Sequence, residues 1–245
     1  MMSSMNSQNS SPARPDTTTP TGRKPRADGV ESRRAILHAA AELATTLGLE
    51  GLSIGELARH IGMSKSGLFA HFKSKGELEL ATIETAVEIF ERDVVVPARS
   101  SPDGLRRVWA LAEGFLSHLE RRVFPGGCFI ATVSIRLATR PGPARDRVME
   151  AQGWWLTLFG DALRQAVAAG ELPADVDVDQ LAFEVTAMLL RGNFAWIVTG
   201  DERVLQQTRR GVRNVLERAA GTGVRRKGPR RQAEIGKGGK RSGAR

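Results

Sequence analysis

Apolar residues recur along this chain at helical steps, with polar positions between them. Ile36, Ala40, Leu43 and Leu47 follow at intervals of 4, 3 and 4, which predicts a first helix from about Ser32 to Leu47, ended by Gly48. Ile54, Leu57, Ala58 and Ile61 predict a short second helix, interrupted by Gly62. Leu68, Phe69 and Phe72 predict a third, with Ser64 placed to cap its first free N–H. Ser74, with Glu77 three residues on, is a capping box that opens a fourth helix. Its buried stripe is Ile83, Val87, Phe90 and Val94, and the pattern runs to about Val95, where Pro97 is the expected stop.

The remaining sequence also reads as helix. Ser101-Pro102 is the expected opening of a fifth, lined by Leu105, Val108, Leu111 or Ala112, Phe115 and Leu119. Pro125-Gly126-Gly127 breaks the chain before a short apolar helix from Cys128 to about Ala138. After the loop Arg140-Pro141-Gly142-Pro143, a seventh helix runs from about Ala144 to Ala169 with Val148, Trp155, Leu158, Phe159 and Leu163. Asp177 or Asp179 starts an eighth, ending near Thr199. Asp201 caps a ninth, which ends near Ala220 at Gly221. No stretch alternates with period two over strand length, so the fold class is all-α.

In the eighth helix Leu181, Val185, Met188, Leu189, Phe194, Trp196 and Ile197 do not fit one narrow stripe. Such a helix must be covered on two sides. Its own core covers one; the simplest cover for the other is a second copy in a twofold dimer. The ninth helix offers Val204, Leu205, Val212, Val215 and Leu216 beside an Arg-rich face.

Counted from Ile54, the fifth residue is small (Ala58), the ninth is Gly62 and the fifteenth is apolar (Leu68). A helix-turn-helix needs this spacing: a small residue where two helices cross, a glycine for positive φ in the turn, and an apolar plug behind the second helix. Lys65, Ser66, Gly67, Ala70 and His71 then form the outer face, free to enter a major groove.

The segment G-M-S-K-S-G-L-F-A-H-F-K-S-K-G-E-L, with R-R-A-I-L-H-A-A-A-E-L-A-T-T-L-G-L-E-G-L-S upstream, resembles the DNA-binding head of TetR-family transcriptional regulators over about residues 31–80. Inside a complete helix-turn-helix, Lys65, Ser66, Gly67 and His71 are expected to contact DNA rather than to form only a solvated face, and the resemblance implies Lys75 on a phosphate at the positive end of the fourth helix. Lys73 flanks the end of the recognition helix, and Ser53 either bonds a phosphate or only caps the second helix. Phe69 stands where the family usually has a tyrosine whose phenol reaches a phosphate; ring packing is expected to be kept and that hydrogen bond is not. The resemblance also implies dimerisation through the last two long helices, about 177–220, as a four-helix bundle.

Charge sharpens the domain picture. The 245 residues carry a net +9, but residues 1–30 hold +2, residues 221–245 hold +8, and the body between them is close to neutral at −1. The expected organisation is a disordered arm at 1–30, with a basic run Gly22–Arg26; a three-helix head with helix-turn-helix at 31–80; a helical bundle for ligand binding and dimerisation at 81–220; and a disordered basic tail at 221–245. The tail either adds sequence-independent attraction to phosphates or only solubilises. The head has 6 Lys/Arg and 6 Asp/Glu, so DNA binding depends on where its charges lie. One cysteine, Cys128, excludes an intrachain disulfide framework, and four scattered histidines suggest neither a metal site nor a cofactor. No secretory leader and no apolar run near the ~20 residues of a membrane helix are seen, which points to the cytoplasm.

Phe115, Arg136, Trp154, Trp155, Phe159 and Arg191 are candidates for a small-molecule pocket, the arginines as anchors for an anion. Neighbouring Trp154 and Trp155 point about 100° apart on a helix, so one is expected in the core and the other at a cavity or interface. No catalytic motif is present. The expected function is a dimeric, ligand-released transcriptional repressor on a palindromic DNA operator. The alternative is an architectural, largely non-specific DNA binder without an effector.

Overall fold

A computed structural model describes residues 25–221, with side chains described from Val30 onward. The basic run Gly22–Arg26 falls mostly, and the tail 222–245 wholly, outside the described residues. The described chain is α-helical: α1 Pro25–Leu47, α2 Ile54–Ile61, α3 Lys65–Phe69, α4 Lys75–Phe90, a π turn Glu91–Val95, α5 Val96–Arg99, α6 Leu105–Glu120, α7 Phe129–Leu137, α8 Pro143–Ala168, α9 Val178–Thr199 and α10 Glu202–Ala219.

Local capping chemistry sets most boundaries. The hydroxyls of Ser53, Ser64 and Ser74 accept the amides of Glu56, Gly67 and Glu77, and Asp177 and Asp201 cap α9 and α10. Three expected boundaries move. The first helix starts at Pro25 rather than about Ser32. Pro97 does not end the fourth helix. The backbone widens at the π turn, where the Val96 amide reaches back to the Glu91 carbonyl, and the proline enters α5 in its first turn. The result is one continuous rod from Lys75 to Arg99, about 37 Å long at the α-helical rise. Ser101-Pro102 does not open the next helix either. α6 begins at Leu105, whose amide donates to the Glu171 carboxylate at 2.7 Å, so a distant side chain supplies the cap.

Two cores flank the rod. The head core joins Ile36, Leu57, Leu68 and Phe72 to Phe129, Val133 and Leu137 of α7 and Val148 of α8. The body core gathers α6, α8, α9 and α10 around Phe115, Phe159, Leu163, Val185 and Val212. The head is therefore not closed at residue 80: α7 is a wall shared by both cores. The apolar residues of α10 are spent inside the protomer, with Leu205, Val212, Val215 and Leu216 buried. α9 instead leaves Phe183, Leu190, Phe194, Ile197 and Val198 exposed along one face. By length and composition α9 could span a bilayer, with a mean hydropathy of 1.3. That qualifies the expectation of no such run. However, Glu184 and Arg191 interrupt it, and Leu181, Val185 and Leu189 pack in the body core.

Candidate nucleic-acid interface and apolar cavity

The helix-turn-helix closes as its spacing requires. Ala58 is buried at the α2–α3 crossing, Leu68 is fully buried behind α3, and Gly62 takes φ 68°, ψ 23° in the turn. A side chain at that φ would carry left-handed strain. α3 is short, but the Phe72 amide still reaches the Leu68 carbonyl at 3.2 Å, so helical bonding continues past Phe69. Arg33 holds this end: it donates to the His71 carbonyl at 2.7 Å and lies 4.4 Å over the Phe72 ring.

The outward face of α3 carries exposed Lys65, Ser66 and Ala70, with Gly67 and His71 half-buried. Phe69 is 55% exposed, so its ring is not used for packing the head. Ser53 accepts the Glu56 amide at 3.0 Å and so performs the cap, its hydroxyl proton left to donate. Lys73 is exposed, and its amide donates to the Glu77 carboxylate at 2.9 Å. Lys75 is engaged: its Nζ donates to the Glu50 carbonyl at 2.7 Å and lies 3.7 Å from Glu79.

The body contains a cavity of about 810 Å³ between the rod, α6, α7, α8 and α9. Phe90, Phe115, Ile130, Trp154, Trp155 and Leu189 form its apolar walls, and Ile135, Leu156, Phe183, Leu190, Phe194 and Val198 extend it to the exposed face of α9. Phe115, Arg136, Trp154, Trp155 and Arg191 all line it, as the sequence suggests. Both tryptophans reach it, not one. Phe159 does not: it is fully buried behind Trp155, ring centroids 4.8 Å apart and edge to face. Periodicity identified its face, but Trp155 lies between it and the cavity.

Polar groups in the wall were missed from sequence. Asn193 is buried and accepts the Cys128 amide at 2.9 Å. Gln152 donates to the Ser134 hydroxyl at 2.8 Å, and Thr132 donates to the Gly126 carbonyl at 2.8 Å. Asn193 carried a legible signal, being an amide in a largely apolar helical stretch; Gln152 follows the charged run Arg145 to Glu150 and did not. Cys128 also lines the cavity, and burial pushes its thiol up to about 11, which keeps it protonated. Among the described residues no cluster of metal-binding side chains occurs.

Below the cavity, buried His118 packs edge to face on Phe90 and Phe124. Neither ring nitrogen has a hydrogen-bond partner among the described residues. Burial lowers its pKa to about 4; the Asp93 carboxylate opposes this, and Arg121 and Arg92 reinforce it. On the far side of α6, Arg209 of α10 forks onto Glu113 and Glu120, with contacts of 2.7 Å to each. The hydrogen bonds that it donates to these two carboxylates raise its pKa.

A complete helix-turn-helix joined by a rod to a helical lobe with an apolar cavity defines a DNA-binding transcriptional regulator. Family models agree at both ends: the description "Bacterial regulatory proteins, tetR family" matches residues 36–82, and "Tetracyclin repressor-like, C-terminal domain" matches residues 104–212. The chain belongs to the TetR family of transcriptional regulators. It is 26% identical over 158 residues to the HTH-type transcriptional regulator SrpR of Pseudomonas putida, covering 64% of this chain and 70% of that protein. A TetR regulator from Chloroflexus aurantiacus superposes with a TM-score of 0.70 at 25% identity, over 76% of this chain and 94% of that one. AibR, solved with isovaleryl coenzyme A and operator DNA, has a TM-score of 0.58 at 24% identity, over 72% of this chain and 95% of its own.

Proposed function

We propose that the protein is a cytoplasmic, homodimeric repressor that binds a near-palindromic operator and leaves it when a small molecule fills the cavity. The observation that carries this reading is the pairing of an outward-facing recognition helix with a cavity of about 810 Å³, linked by one unbroken rod. Cavities of this size between helices suit small organic ligands. An architectural DNA binder would have no use for one. AibR accommodates a small molecule and operator DNA on the same fold, which supports assigning both occupants here.

In this reading Lys65, Ser66, Gly67, Phe69 and His71 enter the major groove, while Ser53, Lys73 and Lys75 meet phosphates. Phe69 offers an apolar surface in place of a phenol. Phe115, Arg136, Trp154, Trp155 and Arg191 contact the effector. The exposed face of α9, with the groove of about 380 Å³ between α9 and α10 lined by Gly192, Ala195 and Gly211, receives the second protomer. Both sites are binding surfaces, and we assign the protein no catalytic role.

A ligand that tilts the rod changes the separation of two recognition helices, while the spacing of the operator is fixed. Linkage then requires ligand and DNA to weaken each other by the same factor, with a coupling of roughly 1–3 kcal/mol. Ligand titrations with and without operator test this. Unequal affinities, differing by the factor found in the reverse titration, are expected. Equal affinities for a compound bound in the cavity would reject release by an effector.

A further inference from the structure

α7 is the wall between the cavity and the head. Cys128 and Ala131 belong to the body core, while Phe129, Val133 and Leu137 belong to the head core. Arg136 stands at the junction. It lines the cavity, and its guanidinium donates to the Leu47 carbonyl at 2.9 Å and lies 3.8 Å from a Glu50 carboxylate oxygen. Leu47 ends α1, where unpaired carbonyls form the negative pole of the helix. Glu50 lies in the link to α2.

Glu50 is a node. Its carbonyl accepts the Lys75 ammonium at 2.7 Å. Its second carboxylate oxygen, Oε2, is buried with no hydrogen-bond partner. Among the described residues, Arg136 is the only cation within ion-pair distance of that carboxylate. The cavity wall, the α1–α2 link and Lys75, the lysine assigned above to a phosphate, therefore meet at one residue.

The charge of the cavity limits what can enter. Among the described residues no Asp or Glu lines it, and its only charged groups are Arg136 and Arg191. A cation would be desolvated against two positive charges with no counter-charge. An apolar body bearing an acidic group gains both burial and a charge-assisted hydrogen bond. The Arg136 side chain is 45% exposed, so its guanidinium can turn without leaving water.

We propose that the effector is an amphiphilic organic anion, and that its acidic group takes the Arg136 guanidinium from Leu47 and Glu50. The ligand's acidic group replaces a main-chain carbonyl at 2.9 Å and a carboxylate oxygen at 3.8 Å. It frees the end of α1 from α7 and leaves Glu50 without its arginine, beside Lys75, which is assigned to a phosphate. Arg136 is thus a sensing residue that couples cavity to head. This inference rests on the reading of the cavity as an effector site.

The test uses three probes of equal chain length, decanoate, decan-1-ol and decylammonium, on the full-length protein. Binding is read by calorimetry and operator release by fluorescence anisotropy. A hydrogen bond to a charged group predicts decanoate binding about tenfold or more tighter than decanol, with decylammonium weakest. Arg136→Gln should abolish that preference and, because it deletes the hold on Leu47 and Glu50, weaken operator binding even without a ligand, so that decanoate adds no further release. Glu50→Gln, which removes the competing carboxylate, should tighten decanoate binding a few-fold. Equal binding of decanoate and decanol by the wild type, or a preference that survives Arg136→Gln, would overturn the proposal and leave the cavity reading standing. Failure of all three probes to bind would overturn the cavity reading and this inference together.

Discussion

Gly126, in the loop before α7, donates its amide to the hydroxyl of Thr45 in α1 at 3.0 Å, and both groups are buried. The approach is so close that a Cβ on Gly126 would collide with the Thr45 carbonyl. The same loop meets the cavity wall two residues on, where Cys128 donates to Asn193. Head and cavity are therefore joined by main chain as well as by Arg136.

Gly126→Ala should force α1 away from the loop and cost about 1–3 kcal/mol, in the manner of an overpacked core. Thr45→Val keeps the shape and removes the acceptor, leaving a buried amide unpaired at a similar cost of about 1–3 kcal/mol. Denaturant unfolding of both variants checks this. Wild-type stability in each would show that the contact holds nothing.

His118 predicts a pH dependence. An unfolded imidazole takes up a proton near pH 6.5, whereas burial holds the folded one neutral down to about pH 4. The stability that comes from the neutral folded form is complete above pH 6.5 and is lost as pH falls from 6.5 to about 4. The separation corresponds to about 3 kcal/mol over that window. His118→Leu should remove this slope and, by deleting two unpaired nitrogens, match or exceed wild-type stability at pH 7. The comparison is unfolding at pH 7 and pH 4.5; equal losses in both proteins would contradict it.

The exposed face of α9 predicts the assembly. Phe183 and Val198 are 64% and 66% exposed, unusual for such residues on a well-packed helix. The double substitution Phe183→Glu, Val198→Glu should give a folded monomer in analytical ultracentrifugation. Losing the second half-site contact should then weaken operator binding by about 100-fold or more. A dimer of unchanged affinity would place the interface elsewhere.

What the sequence reveals here follows the range of the interaction. The caps Ser53, Ser64, Ser74 and Asp201 act within a turn, so they were legible. The spacing of Ala58, Gly62 and Leu68 was legible for the same reason. The start of α6 was not, because its cap is Glu171, 66 residues away from Leu105. Pro97 misled because the π turn that absorbs it has no local signature. Helical period placed Phe115 and Trp155 on inward faces, but could not show that Phe159 lies behind Trp155 rather than in the cavity. The hold of Arg136 on Leu47 spans 89 residues and is invisible in any periodicity.

The central claim is that this chain reads DNA as a symmetric pair of recognition helices. Selection from random duplex DNA, followed by binding of the selected sites to wild type and to Lys65→Ala and His71→Ala, tests it most directly. The predicted result is an inverted repeat with half-site centres about one helical turn, ~34 Å, apart. Each variant should lose about 1–3 kcal/mol of binding while keeping the wild-type unfolding curve. Recovery of unrelated or asymmetric sequences, bound equally by all three proteins and losing affinity uniformly with salt, would contradict it.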